Sequence, residues 1–255
     1  MNGSFPDRRG RAGRPPAAPR RLAATPLGRP LVWGQLVGIL AGAGGWWLPW
    51  VLHASGVAAL VLLGLDLGEF FKFTSLWRAG EIQWERQIFY LPPVLAALAL
   101  AALAAQRGPL ARWLLALPAI FLALVVLPPY PYTVAALFSP EFRFQTWSTI
   151  SALGAIAAAL FAPYIVRPPR TALGLVRVAL GLAGLTLPLW AFWRVKLILD
   201  GLYGRPIVVG PGLFVTLGGF TLLAVTGVRA LIQPGRAPAS RRASAAASSA
   251  AEQPQ

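Results

Sequence analysis

Six long apolar runs constrain this chain more than any other feature: Leu31–Leu52, Ile88–Ala105, Trp113–Pro129, Trp147–Val166, Leu173–Trp193 and Ile207–Val228. Each is close to the ~20 residues a helix needs to cross a ~30 Å hydrocarbon layer. Backbone N–H and C=O groups find no water there, so such runs satisfy them as helices packed against one another. The pattern predicts an all-α membrane protein with six transmembrane helices in three hairpins, filling a membrane domain over residues 30–232. Only 12% of the 255 residues are charged, about half the share of a soluble domain, and nearly all of them fall between the runs or in the tails.

The net charge of +15 would point to nucleic acid in a soluble chain. Here the arginines lie beside the apolar runs, where they direct topology and meet anionic lipid, so no nucleic-acid partner is expected. Residues 1–29 carry Arg8, Arg9, Arg11, Arg14, Arg20, Arg21 and Arg29 among Pro, Gly and Ala, and residues 233–255 are rich in Ala, Ser and Pro. Neither stretch has the apolar content to bury a core, and both are expected to be disordered cytoplasmic tails. The first run follows the basic tail as an uncleaved signal-anchor, because Leu52 stands at the −3 position of the poor cleavage site Ala54–Ser55. With both termini inside, sixteen Lys and Arg fall on the cytoplasmic side and seven outside, as the positive-inside rule requires. The interhelical loops alone divide five inside against seven outside, so the tails carry the assignment. Lys occurs only at Lys72 and Lys196 while Arg, Ala, Gly and Pro abound, a bias that fits a GC-rich bacterial genome and a multi-pass inner-membrane location.

The segment Gly56–Gly64 competes with this count. Its nine residues are too few to cross alone, but extended from Trp50 to Leu67 they would give a seventh helix. The preferred reading is an apolar outer loop or re-entrant element within residues 53–86, followed by an interfacial amphipathic helix over Asp66–Arg78. There Phe70, Phe73 and Trp77 share one face at i, i+3 and i+7.

Chemistry is sparse. With no cysteine and one histidine, His53, the chain lacks the ligands for an iron–sulfur cluster, a thiolate zinc site or a bis-His haem, and neither cofactor nor metal is expected. No ionisable residue falls at mid-run; Arg112 and Arg177 lie near run ends, where they can snorkel to headgroups. Among the outer acids, Asp66, Glu69 and Glu141 with His53 form a possible polar site, though no metalloenzyme spacing is present. Loop ion pairs are the plainer account of the same residues. Gly34, Gly38 and Gly42 form a GxxxGxxxG ridge for helix packing, within the chain or in a homo-oligomer. Eight of the ten Trp fall on the expected outer side, whereas interfacial belts occupy both surfaces. Trp46, Trp47 and Trp50 with Phe70, Phe73 and Trp77 therefore form a candidate aromatic cap for a membrane-protein partner, a lipid or a flat apolar ligand, with loop anchoring as the alternative.

The Leu48-Pro49-Trp50 exit from the first run leads into Gly64-Leu65-Asp66-Leu67, and the last run opens on Gly210-Pro-Gly212. In these features the chain resembles uncharacterised small multi-pass bacterial membrane proteins with a Leu-Pro-Trp exit from the first helix. The resemblance implies a short outer loop and a glycine-led final helix, and it brings no activity or site residue. The expected role is a non-enzymatic accessory or structural subunit that binds a partner or apolar ligand through its cap. A permease or channel subunit, or a membrane enzyme using the outer carboxylates, are the alternatives.

Overall fold

The computed structural model describes residues 29–52, 61–70, 74–80, 83–128, 132–139, 143–162, 164 and 168–232. These residues are mostly helical. In chain order they form α1 (Arg29–Gly44), a 3-10 turn (Gly45–Trp47), β1 (Pro49–Leu52), β2 (Val61–Leu63), α2 (Gly64–Phe70), α3 (Ser75–Arg78) and α4 (Gln83–Ile88). There follow α5 (Leu91–Ala104), α6 (Pro109–Leu124), α7 (Tyr132–Phe138), α8 (Arg143–Phe161), α9 (Arg170–Tyr203), β3 (Val208–Val209) and α10 (Pro211–Ile232).

Prolines mark the helix starts. Pro92, Pro93, Pro109 and Pro211 stand in first turns, where the missing N–H is no loss and the fixed φ is already helical. Gly204 ends α9 in the left-handed conformation, φ 61°, which a residue without Cβ adopts freely. Behind its two prolines α5 is Leu, Val and Ala throughout. Apolar on every side, it has no face suited to water and lies at the centre of the bundle, packed on α1, α6, α8 and α9. Ala96, Ala97, Ala119, Ala123, Ala152, Ala155 and Ala159 are fully buried at these contacts; a methyl group is all that such closely spaced helices leave room for.

The chain is not all-α. The first apolar run leaves its helix at Gly44, well before Leu52, because paired glycines weaken the helix and Pro49 cannot donate to a preceding turn. It continues as the central strand of a small antiparallel sheet of order β2-β1-β3, pairing Leu52 with Val61 and with Val208. Within the expected apolar loop Gly56–Gly64, Val61–Leu63 is thus a strand and Gly64 opens α2, while residues 56–60 lie outside the described residues. The interfacial helix expected over Asp66–Arg78 is two pieces, α2 and α3. The fifth run, Leu173–Trp193, lies within a longer helix: α9 passes through Pro188 and is 34 residues long. Membrane helices tolerate such a proline, and here Gly184 stands one turn before it. The last helix starts at Pro211 rather than at Ile207.

Three stretches are long and apolar enough to cross a membrane, Arg86–Ala104, Arg170–Tyr203 and Pro211–Ile232; Pro109–Leu124 and Gln145–Phe161 are shorter apolar helices. Large apolar side chains cover the outside of the bundle, among them Leu114, Leu117 and Phe121 on α6, Trp193 and Leu197 on α9 and Phe214 on α10. A soluble surface rarely carries apolar patches of that extent; hydrocarbon accommodates them.

Helix pairing departs from sequential hairpins, since α10 sits between α1 and α9 and is the main support of both. The ridge Gly34, Gly38, Gly42 makes this possible. A Cβ on Gly38 would stand 2.9 Å from the carbonyl oxygen of Gly219, and one on Gly42 would stand 3.0 Å from the Phe220 ring. Phe220 is fully buried between Gly42 of α1 and Gly184 of α9. Two neighbouring glycines on α10 test the packing. Gly219→Ala would place a Cβ 2.6 Å from the Gly38 carbonyl and is expected to destabilise the bundle by about 1–3 kcal/mol. Gly218→Ala points into open space and should leave the melting temperature in detergent unchanged or slightly raised. Equal melting of the two variants would sink this account of the α1–α10 contact.

Candidate functional site

The end of the bundle that carries the sheet brings together three motifs far apart in sequence, and Trp50 is where they meet. Pro49 pairs with Leu63 and Val51 with Leu62, so Trp50 is the extra residue of a β-bulge. A bulge turns its side chain out of the usual alternation, and Trp50 and Val51 are consecutively and fully buried. The indole N–H of Trp50 donates to the Gly45 carbonyl across 2.8 Å. Its ring meets Phe89 and Phe192 edge-on, with centroids 5.9 and 6.1 Å away, an arrangement favoured by the aromatic quadrupole. Gly64 and Gly212 close over it: a Cβ would lie 2.8 Å from Trp50 Nε1 at Gly64 and 2.6 Å from Trp50 Cδ1 at Gly212. The backbone N–H of Gly210 donates to the Trp50 carbonyl at 2.8 Å. The Leu-Pro-Trp exit, the Gly64 segment and the Gly210-Pro-Gly212 start are therefore one packed unit, with Val195, Leu199, Ile207 and Leu213 beneath it.

Beside this unit lies a polar cluster. Arg86, at 2% exposure, donates through Nε to the Gly68 carbonyl at 2.9 Å and through Nη2 to Glu69 Oε1 at 3.3 Å. Tyr90 donates its hydroxyl to the same oxygen of Glu69. The Tyr90 ring rests on Gly68, where a Cβ would stand 2.8 Å from it. Two donors converging on one carboxylate oxygen make strong charge-assisted bonds, and here they lock α2 to α4 and to the start of α5. Two further described carboxylates at this end hold backbone. Asp66 Oδ2 accepts from the Leu63 N–H at 3.1 Å, and Asp200 accepts from the Ile207 N–H at 2.7 Å while its other oxygen pairs with Lys196.

The candidate residues divide accordingly. Trp46 and Trp50 are fully buried, and the Trp46 indole donates to the Phe89 carbonyl at 2.6 Å; in this fold neither ring offers a face to a partner. Trp47 is half-buried against Trp46, centroids 5.0 Å apart, and Phe70 packs on the edge of the Trp50 cluster. His53, Phe73 and Glu141 lie outside the described residues, as does the side chain of Trp77, whose backbone is in α3. Among the aromatic residues that do face outward are Trp147, Trp190, Trp193, Tyr132 and Phe138, with the Arg194 guanidinium over the Trp190 ring at 5.6 Å. Among the described residues no three His, Cys, Asp or Glu side chains gather where they could hold a metal ion.

The sequence puts Arg86 at the edge of the outer loop, residues 53–86, and Arg177 near a run end where it can reach the headgroups. Both are buried at 2% exposure. The one signal was position: Arg86 stands two residues before an apolar run, so that a helix extended backward by half a turn draws it inside.

Compared with protein-family models, curated proteins and solved structures, the chain matches none, and the arrangement above is what bears on function. Trp50→Ala is expected to lower stability by about 3–5 kcal/mol, whereas Trp193→Ala, removing a ring 59% exposed, should change it by no more than about 0.5 kcal/mol. Arg86→Met leaves the Gly68 carbonyl and Glu69 short of donors and should cost about 1–3 kcal/mol. Thermal unfolding of the detergent-purified chain checks all three, and a Trp50 variant as stable as the Trp193 variant would remove Trp50 from its central place.

Proposed function

We propose that the protein is a non-enzymatic, multi-pass bacterial inner-membrane protein. Its α1, α5, α6, α8, α9 and α10 cross the bilayer, both termini are cytoplasmic, and the sheet end forms an extracytoplasmic cap. The cap serves an accessory or structural role, binding a partner protein or apolar ligand at its rim. The observation that carries this reading is the use made of the described carboxylates at the sheet end: Asp66, Glu69 and Asp200 each hold a backbone N–H or a buried cation. A general acid or base must instead reach a substrate proton. A permease path through the bundle finds little support, since α5 at its centre packs on its neighbours through buried alanine, valine and leucine.

Topology is checked on a chain that has no cysteine of its own. Ser244→Cys should resist an impermeant maleimide added to intact spheroplasts and react after permeabilisation; labelling in intact spheroplasts overturns the cytoplasmic C-terminus and with it the six-helix topology. For the binding role, Phe70→Ala with Trp77→Ala should lose whatever species co-purifies stoichiometrically with the wild type in mild detergent, while the melting temperature falls by only a few degrees. Equal co-purification from both would leave the aromatics as anchors of the cap alone.

A further inference from the structure

The end of the bundle opposite the sheet holds a second polar arrangement. Arg177 lies seven residues into α9, roughly 10 Å along the axis from its start, and is 2% exposed. Its side chain does not snorkel outward: the Cβ faces Gly227 of α10, where a substituent would stand 3.0 Å away. The charged neighbour acting on it is another cation, Arg107, which follows α5. Gln35 of α1 is 1% exposed and belongs to the same level, because Gly34 packs on Thr226 while the adjoining Gly227 meets Arg177. Among the described residues, Arg177 Nη2, Arg107 Nη2 and both amide atoms of Gln35 are buried without a hydrogen-bond partner.

A buried guanidinium, Arg177, under the repulsion of the half-buried Arg107 is costly unless an anion lies with them. The chain supplies none there from its described residues. Of its eight acids, Asp66, Glu69 and Asp200 are engaged at the sheet end, while Asp7, Glu81, Glu141, Glu252 and the side chain of Glu85 lie outside the described residues. The Gln35 amide adds a neutral donor. We infer that Arg177, Arg107 and Gln35 form a binding site for a phosphate-type oxyanion between α1, α5, α9 and α10. Arginine forks match the planar pairs of phosphate oxygens, and basic pockets between membrane helices at this depth receive phosphate headgroups. A phospholipid headgroup and free phosphate share the chemistry, and they are told apart by experiment.

The full-length chain is delipidated in a neutral detergent and its thermal unfolding followed with added phosphatidylglycerol, with inorganic phosphate, and with sodium chloride at matched ionic strength. One of the two phosphate sources is expected to raise the melting temperature by roughly 5–10 °C at saturation, and chloride is not. Stabilisation by phosphatidylglycerol but not by inorganic phosphate identifies a lipid site, and stabilisation by inorganic phosphate identifies a soluble-anion site. Arg177→Gln should abolish the shift. Should that variant fail to fold, Arg107→Gln and Gln35→Leu are the substitutes, each expected to weaken apparent affinity at least tenfold. The inference is overturned if neither phosphate source exceeds chloride, or if Arg107→Gln and Gln35→Leu respond as the wild type does. It is equally overturned if Glu252→Gln destabilises the untreated chain as much as Arg177→Gln, which would make the tail carboxylate the counter-ion.

Discussion

The burial of one indole organises this structure. Trp50 donates to the Gly45 carbonyl and is enclosed by Gly64, Gly212, Phe89 and Phe192, so the end of α1, the start of α2, the start of α5, the middle of α9 and the start of α10 all converge on it. A tryptophan can be fully buried only where its N–H finds an acceptor, and a strand can present it inward beside Val51 only through a bulge. Both conditions are met by short-range features, a 3-10 turn and a register shift. Glycines then let the surrounding backbones close on the ring. The same economy of side-chain volume recurs through the bundle, where α10 reaches α1 and α9 through glycines that face backbone or the Phe220 ring.

The two ends of the bundle treat charge differently. At the sheet end, cations and carboxylates are matched: Arg86 with Glu69 and Lys196 with Asp200. Each pair also holds a backbone group, the Gly68 carbonyl or the Ile207 N–H, which is a reason for retaining charge where apolar packing would otherwise serve. At the opposite end the buried Arg177 feels the charge of the half-buried Arg107, with no carboxylate among the described residues to offset them. A protein whose helices meet through glycine and alanine has few means of accommodating a buried guanidinium by rearrangement. The asymmetry therefore calls for an anion from beyond these residues, and a membrane interface is rich in them.

The helical runs were legible because hydrocarbon leaves the backbone no alternative, and the glycine ridge on α1 was legible because residues four apart share a helix face. The candidate cap was legible only in part. Trp46, Trp47, Trp50 and Phe70 do gather at the sheet end, as their clustering in sequence implied, but two of the tryptophans point inward. One-sidedness of Trp along a chain says which end a ring belongs to; it does not say whether the ring faces the core or the surroundings. Glu69 was singled out without Arg86 or Tyr90, because its partners arrive from 17 and 21 residues later, across elements whose packing no periodicity reveals.

By itself the sequence determined a mostly helical chain of bilayer-length apolar segments, short of charge and free of thiolate chemistry, for these follow from composition and run length. Only the tertiary structure decided that the first run breaks at Gly44 to become a strand, that α9 continues through Pro188, and that α10 lies between α1 and α9. It also decided that Arg86 and Arg177 are interior. A strand needs partners, and β1 finds them about ten and more than 150 residues away; a buried cation needs neighbours from other helices. Such interactions are set by which surfaces meet, and the local rules that select a helix do not contain them.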